Sequence, residues 1–318
     1  MKKISSIALG VLAYNEEESI AKVIEDLLGL NQDIYIINDC SEDNTKKILE
    51  QFEHLKNVKI FNNKKNLGAG LSTKKLIEEA FKNGKEFIVK IDGDGQFLFE
   101  DVEKIIDIYL KKDYEFIKSN RFWANGIVGE IPKIRFFGNL LATLLMQFSI
   151  GSSLLYDPLN GLFGISTKIN DKLESKSYPN RYGYPFFITI SAVLNNLKTK
   201  QINNTVVYAD EKSNLNSFKV LFTLLKLSAL FYFKKYKLKK LEGRLQKSAF
   251  FDVMFLFFTA SFICEVAYLL ITTFTQINSF IRSSNLFNLM LISLLLSIYS
   301  FNTSYKDESN FRNELIDA

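Results

Sequence analysis

Cysteine and histidine are almost absent from this 318-residue chain. Its two cysteines, Cys40 and Cys264, lie in segments of very different character. That excludes a disulfide framework and a thiolate metal cluster. The single histidine, His54, sits in the polar stretch 51–57 and reads as a surface residue, so histidine triads and zinc sites have little to be built from. A strong charge of one sign is also missing. The formal net charge is +5, and Lys and Arg crowd at 234–247, just before the most apolar part of the chain. Nucleic-acid binders carry basic patches on the folded domain; this placement suits an anionic membrane surface instead. The first apolar run meets Glu16, Glu17 and Glu18 too soon to read as a signal peptide.

What is present is a globular composition, 47% hydrophobic and 24% charged, on a chain long enough for a substantial core. Apolar runs at 7–13, 34–37, 58–61, 87–91 and 116–119 read as strands. Helical spacing fills 20–28, 45–52, about 69–81 and 100–111 between them, with Asn15 as an expected N-cap and Gly29 as a stop. Alternating strands and helices imply an α/β fold with a doubly wound parallel sheet. Ligands bind such sheets at the carboxyl ends of the strands. Three loops on that edge are rich in Asn, Asp, Glu and Gly: 14–18, 38–45 and 92–96.

The last of these ends the apolar run Ile88-Val89-Lys90-Ile91 with Asp92-Gly93-Asp94-Gly95-Gln96. Side chains two apart on a strand point the same way, so Asp92 and Asp94 can converge on one cation. Carboxylates with the Gln96 amide oxygen suit Mg2+ or Mn2+, hard ions that bridge protein to substrate phosphates. A bare Asp-Gly-Asp is equally a solvated acidic turn. The other two loops on the same edge favour a nucleotide-type site. Gly68-Ala69-Gly70 is no dinucleotide fingerprint, because the third glycine is missing and no apolar strand directly precedes it.

Four stretches in order carry a resemblance: Ala13-Tyr14-Asn15-Glu16-Glu17, 38–45, Asn66-Leu67-Gly68-Ala69-Gly70 and 92–96. Over about residues 5–210 the chain resembles the family 2 glycosyltransferases of GT-A fold, especially the dolichol-phosphate mannose synthase-like branch. The resemblance implies that Ala13, Tyr14, Asn15, Glu16, Asn38 and Asp39 hold the base and ribose of a GDP- or UDP-linked sugar, with Gly68 beside them. It assigns Asp92, Asp94 and Gln96 to the metal on the diphosphate. Arg121 and Arg135 would meet phosphate. Asp157, in Asp157-Pro158-Leu159-Asn160-Gly161, would lie by the acceptor as a base or positioning group. Arg181 and Lys212 match acceptor-side and diphosphate-closing loops more loosely. Leu12 stands where the family usually has Pro, and Asn38-Asp39 where it has two aspartates, which bears on base identity. Phe97-Leu98-Phe99 replaces His-Pro-Pro and implies a more apolar lip beside the metal.

Residues 134–150 are apolar but short for a span, and are expected as a buried or interfacial helix. In 218–233 a narrow stripe of Lys219, Thr223 and Lys226 on an apolar helix suits the membrane interface. Residues 249–274 and 285–301 read as a two-helix transmembrane hairpin, with Glu265 in the first span expected to have a partner or mark a break. The expected organisation is a catalytic domain at 1–210, a juxtamembrane segment at 211–248, the hairpin at 249–302 and a tail at 303–318. The positive-inside rule puts the catalytic domain and both termini in the cytoplasm.

Three functions compete. The first is an inverting transferase moving sugar to a polyprenyl phosphate, a nucleophile that needs neutralisation and aim rather than a base. The second uses a hydroxyl acceptor, glycan or glycerolipid, with Asp157 as general base. The third is a non-enzymatic nucleotide-binding membrane protein, which the retained Asp92, Asp94 and Gln96 oppose. The sequence leaves the sugar, the base, the lipid and homo-oligomerisation open.

Overall fold

The chain's apolar runs and amphipathic stretches alternate as βα units through residue 120. The computed structural model describes residues 3–121, 127–128, 133–173, 176–204, 206–207, 217–241, 248–275 and 283–317. In order come β1 (Ile7–Ala13), α1 (Ile20–Leu28), β2 (Asp33–Asn38), α2 (Thr45–Glu50), β3 (Val58–Asn62), α3 (Ala69–Lys82), β4 (Phe87–Asp92), α4 (Phe99–Lys111) and β5 (Phe116–Asn120). Next are β6 (Ile127–Val128), α5 (Lys133–Ile150), β7 (Phe163–Ser166), α6 (Asn170–Leu173), α7 (Tyr184–Leu194), β8 (Thr199–Asn203) and β9 (Val206–Val207). Three long helices follow, α8 (Ser217–Leu241), α9 (Ser248–Thr275) and α10 (Ser283–Asn313), and then β10 (Ile316–Asp317).

Eight strands form one sheet in the order β10-β8-β5-β7-β4-β1-β2-β3. All neighbours are parallel except β7, which runs antiparallel between β4 and β5. Every residue of β1 is buried, as a central parallel strand covered on both faces requires. One face packs α1 and α4 through Ile24 and Ile105 onto Val89 and Ile91. The other packs α3, α5, α7 and α8 through Leu76, Met146, Phe187 and Phe231 onto Ile88, Phe116 and Phe163.

Several boundaries differ from those expected of the sequence. Asn15 does not cap α1: it has φ +58, and the helix begins at Ile20. The acidic residues before it form a turn bound to the next loop. Beyond β5, β8 ends at Asn203. Asn204 turns to donate its backbone N–H to the Asn120 carbonyl (3.1 Å), and β9 then pairs with β6 in a separate two-stranded sheet.

Residues 303–317, in the segment expected as a tail, are ordered into regular structure. α10 continues through it to Asn313, and β10 pairs in parallel with β8 at the edge of the main sheet. Arg312 is fully buried there, bonded to Glu308 (2.9 Å) and to the Val193 carbonyl (2.9 Å).

Helices α9 and α10 pack as an antiparallel pair. Ser304 and Tyr232 both donate to Asp252, Thr259 meets Ser297 (2.7 Å), and Phe255 lies against Phe301. Glu265 finds its partners inside the pair, accepting from Ser261 (2.9 Å) and Ser293 (3.1 Å). Among the described residues one stretch, Phe250–Leu270, is long and apolar enough to cross a membrane. α5 is half-buried: Ala142 and Met146 face the core, while Phe136, Phe137, Leu140 and Leu144 are exposed. α8 does the same, with Leu227 and Phe231 inward and Phe222, Leu225 and Phe233 outward.

Candidate active site

Four loops meet at the carboxyl ends of β1, β2, β3 and β4. The first two are locked together by backbone-to-side-chain bonds. Asn15 donates its N–H to Ser41 Oγ (3.0 Å), and its Oδ1 accepts from the Glu42 N–H (2.8 Å). Glu16 N–H reaches Thr45 Oγ1 (2.8 Å), and Glu17 accepts from both Asn44 nitrogens. Asn38 is buried, accepts from Ser41 and donates to Asn62 Oδ1 (2.8 Å).

Asp39 ties in the loop after β3. Its two oxygens accept from the N–H groups of Leu67 and Gly68, each at 2.8 Å, and from Asn63 Nδ2. Its carboxylate is therefore spent on holding the Asn66–Gly70 turn. Ala13 is buried at the end of β1, while Tyr14 is exposed at the lip. A Cβ on Gly68 would meet Arg181 Cγ at 2.4 Å, so Arg181 lies directly on this turn. A cavity of about 750 Å³ opens beside it, lined by Lys65, Asn66, Leu71, Arg181, Lys219 and Thr223 among others.

At the end of β4, Asp94 accepts the Gln96 N–H (3.0 Å) and Asp92 is partly exposed. Asp92 Oδ1 is held by Lys90, a fully buried lysine one step inside the same strand face. Lys90 also donates to the Tyr184 hydroxyl (2.6 Å) at the start of α7. Burial alone would push the Lys90 ammonium down, but Asp92 and Tyr184 outweigh it and hold it above the usual lysine range. Gly161 packs against this pair: a Cβ there would meet Asp92 Oδ2 at 2.3 Å and Lys90 Nζ at 3.1 Å. Two carboxylates and an amide oxygen are hard donors that fit a divalent cation, and Asp92 Oδ2 takes no hydrogen bond among the described residues.

The second half of the site lies at the end of β5. Asp157, fully buried at φ +51, accepts the Arg121 backbone N–H (3.0 Å) and its Nε (2.8 Å) on Oδ2. Its Oδ1 accepts Arg121 Nη2 (2.7 Å) and Asn139 Nδ2 (2.9 Å) from α5. Two bonds on each oxygen fill the carboxylate's capacity. Burial alone would raise the Asp157 carboxyl, but the guanidinium, its hydrogen bonds and Lys118 together hold it below the ordinary range. Lys118, on β5, is fully buried, and burial lowers it to about 8 despite the attraction of Asp157. The side chain of Arg135 and the whole of Lys212 lie outside the described residues.

The structure thus brings Asp92, Asp94 and Gln96 to the sheet edge, with Arg121 and Asp157 one strand away across β7. Sequence reasoning missed Lys90, Lys118 and Tyr184. A lysine in an otherwise apolar strand run was the available signal for the first two.

A mostly parallel sheet carrying an acidic turn on β4, three interlocked polar loops and flanking helices is a GT-A-like fold. Residues 9–173 match glycosyl transferase family 2, and the chain belongs to that family and is a glycosyltransferase. It is 26% identical over 240 residues to the UDP-N-acetylglucosamine–dolichyl-phosphate N-acetylglucosaminyltransferase of Methanococcus voltae, covering 70% of this chain and 95% of that protein. An uncharacterized protein of Methanocaldococcus jannaschii is 28% identical over 207 residues, 63% of this chain and 87% of its own length. In fold, the chain is similar to S. aureus TarS 1–349 in complex with UDP-GlcNAc, with a TM-score of 0.52, 15% identity and coverage of 97% and 92% of the two chains.

Proposed function

We propose that this glycosyltransferase moves a sugar from a GDP- or UDP-linked donor to a polyprenyl phosphate, dolichyl or undecaprenyl, at the cytoplasmic face of a membrane. The observation that carries this reading is the Arg121–Asp157 pair. A general base needs a free lone pair and a pKa near the working pH. Asp157 has neither: its oxygens are filled and its carboxyl is held low. Its role is to aim Arg121, whose side chain is 20% exposed. A fixed, partly exposed guanidinium suits an anionic acceptor. That disfavours the hydroxyl reading, which needs Asp157 as base.

A phosphomonoester with second pKa of about 6 is mostly dianionic at neutral pH and attacks without deprotonation. Its oxygen forms a bond to the anomeric carbon as the bond to the nucleoside diphosphate breaks, which inverts that carbon. Arg121, with Arg135 and Arg181 as further candidates, would offset the phosphate's charge and fix its approach. Ala13, Tyr14, Asn15, Glu16, Asn38, Asp39 and Gly68 form the donor-side loops, and Lys212 belongs to a segment proposed to close over the diphosphate. Asp92, Asp94 and Gln96 would hold Mg2+ or Mn2+, which supplies Lewis-acid stabilisation of the leaving diphosphate when bound.

The membrane reading is supported by the apolar Phe250–Leu270 stretch, by the exposed apolar faces of α5 and α8, and by the dolichyl-phosphate specificity in the M. voltae relative's name. In this proposal α9 and the apolar half of α10 both span. The pairing of β10 with β8 supports a return of the chain to the catalytic side after the second span.

The test is a screen of UDP- and GDP-sugars with membranes containing the protein and added polyprenyl phosphate. A sugar–phosphate–lipid product is expected. Transfer to diacylglycerol or a glycan, with none to lipid phosphate, overturns the reading.

A further inference from the structure

Lys90 is chemically out of place in β4. Its neighbours Ile88, Val89 and Ile91 are core residues, and its ammonium sits at 0% side-chain exposure. A buried charge is tolerated only where partners replace its lost water. Both of its partners belong to the site: Asp92 Oδ1 and the Tyr184 hydroxyl. The ammonium is too enclosed to touch a substrate itself. What it does is occupy one oxygen of a carboxylate assigned to the metal, with Gly161 closing against the other.

We propose that Lys90 is a positioning residue that makes the donor site a poor metal site by itself, so that the divalent cation enters and leaves with the nucleoside diphosphate. This inference rests on the assignment of Asp92, Asp94 and Gln96 to the metal, not on the identity of the acceptor. Without Lys90 the Asp92 carboxylate would have both oxygens open to Mn2+ before any nucleotide arrived. With Lys90 in place Asp92 Oδ1 is already engaged and its charge is offset. The diphosphate brings further negative charge. Once the sugar has left, the same balance lets the metal depart with the product instead of staying on the protein. The Lys90–Tyr184 bond also fixes the start of α7, next to Arg181, to the same carboxylate. Donor-side and acceptor-side loops therefore share one anchor.

The experiment measures Mn2+ binding to the full-length detergent-solubilised protein by electron paramagnetic resonance, with no nucleotide or lipid present. Wild type is compared with Lys90→Met and Lys90→Gln, and with Asp92→Asn in each background. Both Lys90 variants are expected to bind Mn2+ at least tenfold tighter than wild type, and Asp92→Asn is expected to abolish that gain. Unchanged or weaker Mn2+ binding in the Lys90 variants overturns the proposal. Wild type alone gives a second test that needs no variant to fold: nucleotide-free Mn2+ binding tighter than about 50 μM overturns it equally. If adding UDP or GDP confers Mn2+ binding that Asp92→Asn loses, the metal assignment stands even where Lys90 fails. If no condition gives Asp92-dependent Mn2+ binding, both fall.

Discussion

The two ion pairs of the site are inverted copies of one another. At the end of β4 the cation, Lys90, is fully buried and its anion, Asp92, has 31% of its side chain exposed. Beside β5 the anion, Asp157, is fully buried and its cation, Arg121, is 20% exposed. Each pair uses a hidden charge to orient a visible one of opposite sign. One pole thus presents a carboxylate, fit for a metal–diphosphate, and the other a guanidinium, fit for an anionic acceptor. β7 separates them, with Phe163 in register with Lys90 on one side and Lys118 on the other. The lesson is that in each pair the buried partner sets the direction of the exposed one, so the conspicuous acidic residue at each pole need not have the same role.

Breaking the visible member at the donor pole has the largest effect. Asp92→Asn or Asp94→Asn is expected to lower transfer by about 10³-fold or more, because stabilising the charge that develops on the leaving group contributes most to catalysis in such sites. Radiolabelled sugar incorporation into lipid reads this directly. At the acceptor pole, Arg121→Gln should cost about 10²-fold in kcat/KM for polyprenyl phosphate. Asp157→Asn should cost less, about tenfold to 10²-fold, since Arg121 keeps its charge but loses its aim.

The double variant sharpens the comparison. If Asp157 acts only through Arg121, the pair should lose little more than Arg121→Gln alone, a strongly non-additive result. Additive losses would give Asp157 an independent role. Gly161→Ala, whose Cβ would reach the Asp92–Lys90 pair, should reduce kcat about tenfold by displacing Asp92, with a smaller change in lipid KM.

The smallest effect in activity is a pH effect on stability at Lys118. Its folded pKa of about 8 lies below the ordinary 10.5, so between those values the unfolded chain binds more protons. Stability contributed by this residue therefore rises with pH across that window, and the penalty is complete below pH 8. Lys118→Met should be more stable than wild type at pH 7, by about 3 kcal/mol at most, with the advantage shrinking toward pH 10. Chemical denaturation of both proteins at pH 7, 8, 9 and 10 measures it. A constant difference across pH would contradict the assignment.

The first 120 residues were legible in sequence because each strand there is a short apolar run and each helix has one apolar stripe. α7 was not, and the reason is physical: all eleven of its residues are buried, so it has no polar face to set a period. β7 was not read as a strand, since its four residues, Phe163-Gly164-Ile165-Ser166, are too short a run to set a period. β10 has two residues and pairs only through tertiary context. At the site, residue type and spacing pointed to Asp92 and Asp94, and the family resemblance pointed to Arg121 and Asp157, but neither showed their partnerships. Asp157 next to a proline looks the same whether its oxygens are open or filled, and only the approach of Arg121 and Asn139 distinguishes a base from a bracket.

The edge strand β10 has a consequence for how the molecule is made. It follows α10 in the chain, yet it completes a sheet whose other strands all precede α8. During synthesis β8 must wait with an open edge while about a hundred residues emerge, a delay of about 5 to 20 seconds at 5–20 residues per second. An open edge is a template for wrong pairing. The nascent domain is thus exposed to aggregation until α10 and β10 have followed, which ties the yield of folded enzyme to how soon they emerge.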